Sequence, residues 1–191
     1  NLCFFIFDFL YFMSPSFPTI LVLFGATGDL VARKIVPALW RLWQERKLPD
    51  RFAVVGFSRR DMDHSVFRDH VAGILEERGG GRVKKTDAQK FLRLFSFVRG
   101  EFDKKSDYAA LGHALDAQDR AWGLCTNKLF YLAVPPNFYE GIFKRLAASR
   151  LTDPCSPEEG WTRVIVEKSF GKDLRTAQKL DRLLATLFRE I

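Results

Sequence analysis

Five apolar runs of strand length, each separated from the next by a stretch with helical spacing, constrain this 191-residue chain more than any other feature. They are TILVLFG (19–25), RFAVVGF (51–57), LFSFVRG (94–100), KLFYLAVPP (128–136) and WTRVIVEK (161–168). Strands this apolar on both sides of the pleat must be covered on both faces, as in a parallel sheet between helices. Right-handed crossovers then give an α/β, doubly wound (Rossmann-like), mostly parallel sheet with helices on both faces.

The intervening segments supply those helices. DLVARKIVPALWRLWQERKL predicts a helix opening at Asp29 or Leu30, with a bend where Pro37 lacks its backbone donor. Further helices are expected over 64–78, ended by Gly79–Gly80–Gly81, and over about 86–93. SDYAALGHALDA predicts another, with Ser106 as N-cap. NFYEGIFKRLAAS and KDLRTAQKLDRLLATLFRE predict the last two. Hydrophobic content of 47% and charged content of 28% fit an ordinary globular domain. The net charge of +7 is spread thinly, with no block of five or more Lys/Arg, which argues against a nucleic-acid arm. Cys3, Cys125 and Cys155 are isolated, offer neither metal spacing nor a disulfide framework, and fit the reducing cytoplasm. NLCFFIFDFLYF lacks the flanks of a signal peptide and the length of a membrane span. Residues 1–12 are therefore expected to be a non-native or disordered extension before a start at Met13, with 13–191 as a single domain. An interfacial anchor or an added edge strand are the rival readings of that segment.

In such sheets the ligand crevice lies outside the carboxyl ends of the strands, so strand ends are where chemistry is sought. The first ends in GATGDL: Gly25, Ala26, Thr27, Gly28, Asp29 and Leu30. Two glycines permit tight turning and close backbone approach to a phosphate, and the following helix aims free N–H groups at it. A plain strand-to-helix turn is the alternative. No G-K-[ST] follows, which disfavours a nucleoside-triphosphate loop. The second strand ends Ser58–Arg59–Arg60–Asp61, giving arginines before any acid at the place where an adenosine ribose is read. A guanidinium there suits a 2′-phosphate, while Asp61 could still swing in to a ribose hydroxyl. The alternative is a solvated basic turn.

These residues resemble the glucose-6-phosphate dehydrogenase family over 19 to about 190, the extent of its N-terminal coenzyme domain. The family's G-x-[ST]-G-D-L with a following lysine matches Gly25–Leu30 and Lys34, and its V-G-x-[AS]-R matches Val55–Arg59. Its F-Y-L-A-x-P-P matches Phe130–Pro136, with Tyr139 shortly after, and its E-K-P-F-G matches Glu167–Gly171 with Ser169 in place of proline.

The resemblance implies NADP as coenzyme and glucose 6-phosphate as substrate, oxidised to 6-phosphogluconolactone in the pentose phosphate pathway. It implies coenzyme contacts from Gly25, Ala26, Thr27, Gly28, Asp29, Leu30, Lys34, Arg59, Ala133, Pro135, Tyr139 and Lys168. Lys168 is also implied to touch the sugar, with Glu167 steadying its ammonium. The family's histidine base belongs to a motif expected beyond Ile191, and His64, His70 and His113 are expected to be structural or solvated. No catalytic residue and no metal ligand is therefore expected within the chain, and activity from these residues alone is not expected. The family's dimerising domain is absent from these residues, so the resemblance leaves homo-oligomerisation undecided; no membrane and no nucleic-acid partner is expected. A non-catalytic NADP-binding module and an unrelated short reductase on the same fold remain as other readings. A Tyr-x-x-x-Lys pair, which would support the reductase, is not found at the end of a fourth strand.

Overall fold

The computed structural model describes residues 18–79, 84–153, 160–167 and 174–187. Their elements are strand β1 (Thr19–Phe24), a π-helical segment (Val31–Ile35) running into α1 (Val36–Gln44), β2 (Phe52–Ser58), α2 (His64–Arg78) and α3 (Lys85–Leu92). There follow β3 (Phe95–Arg99), α4 (Lys105–Trp122), β4 (Asn127–Leu132), a 3-10 turn (Pro136–Phe138), α5 (Tyr139–Ala148), β5 (Thr162–Val166) and α6 (Leu174–Leu187). The strands lie in the order β3-β2-β1-β4-β5, and every pairing among them is parallel.

Strand alternation sorts the core into two layers. Leu21, Leu23, Val54, Phe95, Phe97, Leu129 and Tyr131 face α1, α2 and α3. Their neighbours Ile20, Val22, Phe24, Val55, Phe57, Phe130 and Leu132 face α4, α5 and α6. The connections from β1 to β2 and from β2 to β3 step in one direction, and their helices share one face. The connections to β4 and β5 step the other way, and their helices share the opposite face, as a constant crossover hand requires. Every residue of β1, β2 and β4 is buried, which explains their unbroken apolar runs. The outer strand β5 is only partly buried.

The bend expected at Pro37 takes the form of the π-helical segment before it. The Val36 N–H reaches back five residues to the Val31 carbonyl. This widened turn carries the chain past the residue that has no donor for Arg33 and whose ring would strike that carbonyl in a regular helix. Beyond it, Trp40 stacks on Trp43 at 5.2 Å and takes the edge of Phe91 at 5.2 Å, tying α1 to α3. Such pairs add about 0.5–1.5 kcal/mol beyond their buried area.

Two expectations are corrected. Ser106 is not the N-cap of α4: the helix opens at Lys105, with the cap position two residues earlier, at Lys104. Lys104 makes no side-chain cap bond; the Asp107 carboxylate instead holds the approach to the helix, accepting the Glu101 N–H at 2.8 Å while Ser106 donates to that same carboxylate at 3.0 Å. An ionised acceptor binds the N–H more strongly than a hydroxyl would. Cys125, read as an isolated cysteine, is disulfide-bonded. The proposed extension, residues 1–12, lies outside the described residues, as do Gly80 and Gly81.

Gly56 is where β2, α2 and the turn after β1 come closest. A Cβ there would lie 2.6 Å from Phe67 Cζ and 2.9 Å from the Ala26 methyl. Gly56→Ala is expected to destabilise the domain by about 1–3 kcal/mol through overpacking, read as a lower urea midpoint at unchanged slope.

Candidate functional site

The chain reverses direction across the sheet between β1 and β4, and the crevice outside their carboxyl ends is the natural ligand position. The turn after β1 is moulded to that place. Gly25 has φ +76°, and its N–H donates to the Phe57 carbonyl at 2.9 Å. The Gly28 N–H closes the turn on the Gly25 carbonyl at 2.8 Å, and the Ala133 N–H donates to Phe24 at 3.0 Å. A Cβ on Gly25 would stand 2.6 Å from the Ala133 carbonyl oxygen and 2.8 Å from Val134 Cγ1. The turn is thus pressed flat against the end of β4, in a backbone conformation that favours glycine.

Its side chains divide by role. Ala26 is buried, so it offers only backbone to the crevice. Thr27 is half-buried, with its hydroxyl 3.4 Å from that of Ser58, linking the turn to the end of β2. Leu30 packs on the core beneath. Asp29 is exposed and held by Arg33 at 2.6 Å one helical turn on, and Lys34 is exposed beside it. The first N–H groups of the helix that opens at Asp29 have no intrahelical partner and carry the positive end of its dipole. Together with the glycine turn, they form a cradle for an anion.

At the end of β2, Ser58 is buried and its hydroxyl accepts the Arg60 N–H at 3.5 Å. Arg59 and Arg60 are exposed. Asp61 is paired with Arg99 from the end of β3 at 3.1 Å. Asp63 caps α2 through the Val66 N–H at 2.8 Å, so the basic turn is short and anchored at both ends.

On the β4–β5 side, Ala133 is half-buried and Pro135 exposed, the latter leading into the 3-10 turn. Tyr139 is fully buried. Its hydroxyl accepts the Glu167 N–H at 3.3 Å, so it anchors β5 from below, while its ring stays in the core. Tyr131 donates its hydroxyl to the Glu167 carboxylate. Two tyrosines therefore fix the residue directly before Lys168, and the carboxylate expected to steady that lysine is engaged by Tyr131. Lys168 and Ser169 lie outside the described residues. Tyr131 sat within a quoted motif, but nothing in its spacing pointed to Glu167, which is 36 positions away.

His64 accepts the Phe97 N–H at 3.0 Å through Nδ1. His70 packs beside Phe67, and burial, with the Arg60 charge second, lowers its pKa. His113 is exposed on α4. Among the described residues no group of three His, Cys, Asp or Glu is placed to hold a metal ion.

Burial raises the pKa of Tyr108, Tyr131 and Tyr139, and the Glu167 carboxylate pushes Tyr131 further in the same direction. The fold holds these protons more tightly than the unfolded chain. The contribution of these tyrosines to stability should therefore be constant up to about pH 10, the ordinary tyrosine value, and fall above it. In an alkaline absorbance titration these phenols should ionise cooperatively with unfolding, and independent ionisation near pH 10 would contradict their placement.

The family model for "Glucose-6-phosphate dehydrogenase, NAD binding domain" matches residues 22–191. Glucose-6-phosphate 1-dehydrogenase of Chlamydia pneumoniae is 37% identical over 171 residues, spanning 87% of this chain and 33% of that protein. The Schizosaccharomyces pombe protein of the same name is 36% identical over 172 residues, spanning 89% and 33%. A solved structure described as glucose-6-phosphate dehydrogenase in complex with its substrate glucose-6-phosphate superposes with TM-score 0.77 at 30% identity, over 91% of this chain and 35% of that one. The enzyme from Mycobacterium avium superposes with TM-score 0.74 at 25% identity, over 90% and 34%. The chain thus spans about a third of the length of the relatives it matches.

Proposed function

Since the chain belongs to the glucose-6-phosphate dehydrogenase family through its NAD-binding domain, we propose that it is the NADP-binding part of such an enzyme. The observation that carries this reading is the Gly25 turn. It lies where the strand order reverses, backs onto the Ala133 carbonyl, and opens a helix whose free N–H groups suit a pyrophosphate. A side chain at Gly25 would displace that cradle.

Around it, Gly28, Ala26 and Leu30 contribute backbone, and Thr27 contributes a hydroxyl beside Ser58. Asp29 and Lys34 border the opening, and Ala133 and Pro135 form its far wall. Arg59, exposed at the ribose-reading end of β2, would clamp the adenosine 2′-phosphate. Tyr139 serves by holding the Glu167 backbone, and so the strand that leads to Lys168. Lys168 is proposed to reach both coenzyme and sugar. Bound here, NADP supplies the hydride acceptor for oxidising the C1 hydroxyl of glucose 6-phosphate to 6-phosphogluconolactone. For the whole enzyme that substrate, the pentose phosphate pathway and a cytoplasmic location are part of the proposal. No helix among the described residues is long and apolar enough to cross a membrane.

Calorimetric titration with NADP and NAD tests the reading. NADP should bind more tightly by about ten- to a hundredfold, the equivalent of a charge-assisted contact of about 1.5–3 kcal/mol. Arg59→Ala should bring the two affinities together. Equal affinities before mutation would remove Arg59 from the argument. Gly25→Ala should weaken both coenzymes alike, because its Cβ must displace the Ala133 carbonyl or the turn. The strain at its positive φ adds about 1–3 kcal/mol of destabilisation, read by thermal unfolding.

A further inference from the structure

The turn that carries Arg59 also carries an acid, and the two make opposite demands on a ribose. A free carboxylate at the end of the second strand accepts from the 2′-hydroxyl of NAD and repels a 2′-phosphate. Asp61, two residues after Arg59, is the first acid after that strand and close enough along the turn to swing in.

It is not free. Arg99 Nη1 lies 3.1 Å from Asp61 Oδ1. The sheet enforces this approach. Arg99 is in register with Ser58, and the next residue, Gly100, donates its N–H to the Ser58 carbonyl at 2.9 Å. A Cβ on Gly100 would stand 2.4 Å from the Phe57 ring, so the end of β3 is held close beside the end of β2. Asp107, the other acid whose charge reaches Arg99, is already engaged by the Glu101 N–H, the Ser106 hydroxyl and Lys104.

The side chains of Arg99 and Asp61 are 62% and 89% exposed, so their ion pair contributes little to stability. Its effect falls on the surface charge beside Arg59. Paired, Asp61 has its charge offset and one oxygen occupied. Unpaired, it would place a negative charge beside a 2′-phosphate carrying up to about two.

We propose that Arg99 is a specificity-determining residue that acts through Asp61, holding this acid away from the ribose so that Arg59 reads the 2′-phosphate unopposed. This rests on the assignment of the domain to NADP.

The test is a double-mutant cycle in coenzyme affinity, measured by calorimetry for wild type, Arg99→Gln, Asp61→Asn and the double variant. Thermal unfolding of each variant should be near that of wild type, as suits an exposed pair. Arg99→Gln is expected to lower the ratio of NADP to NAD affinity by about three- to tenfold, the scale of one freed charge near the surface. In the Asp61→Asn background the same substitution should leave the ratio unchanged. An equal fall in both backgrounds would show that Arg99 acts on the coenzyme directly, and would overturn the proposal. No fall in either background would reduce the pair to an ordinary surface contact, with the same consequence. If the wild type shows no preference for NADP, the coenzyme assignment itself fails and this inference goes with it. A wild-type preference without coupling sinks only the role of Arg99.

Discussion

The site depends on one close approach, that of the Gly25 turn to the end of β4. Backbone meets backbone there because Gly25 has no side chain and takes a positive φ. The Phe57 carbonyl secures the same residue from β2. Three strand ends are thereby drawn to one point, and the helix that follows starts with its N–H groups over the gap. Gly56 extends the constraint one layer inward, since Phe67 and Ala26 occupy the volume its side chain would need. The Gly25 turn, the second strand and α2 are therefore packed as a unit.

A sheet buried on both faces is what makes such a fixed point affordable. Alternate residues of β1, β2 and β4 feed two aromatic-rich layers, one around Trp40, Phe67, Phe91 and Phe95, the other around Phe24, Phe57, Tyr108 and Phe130. Close packing on both sides holds the strand ends in register and resists the displacement that a moving turn would need. The π-helical segment before Pro37 belongs to the same economy of geometry. It lets a helix open at Asp29, directly at the crevice, and continue into α1 past a residue that would break a regular helix.

Charge is handled differently at the two sides of the crevice. On the β5 side the Glu167 carboxylate is part-buried and taken by the Tyr131 hydroxyl, while Tyr139 holds the backbone of the same residue. On the β1–β2 side two exposed acids are paired, Asp29 with Arg33 and Asp61 with Arg99. Buried polar groups need partners for stability, whereas exposed ions are matched at small energetic cost and mainly shape the local field.

The sequence by itself determined the sheet, its parallel sense and the location of the turn. Unbroken apolar strands alternating with helical spacing admit few other folds, and GATGDL marks its own geometry through its glycines. The basic end of β2 was equally legible, because Ser58–Asp61 are neighbours in the chain. What only the tertiary structure decided are relations between distant residues. Tyr139, grouped by its motif with the coenzyme contacts, has its ring in the core and its hydroxyl on β5. Tyr131 reaches Glu167 across the sheet, and Arg99 meets Asp61 because β3 lies in register beside β2. Ser106 does not cap α4 because its hydroxyl donates to the Asp107 carboxylate, onto which the Glu101 N–H folds back. Cys125 gained a disulfide that its isolation in the chain did not suggest. The physical reason is the same in each case. Local pattern fixes the dihedral angles and the face a residue presents, whereas the partner across the sheet is fixed by strand register and packing, which no single segment encodes.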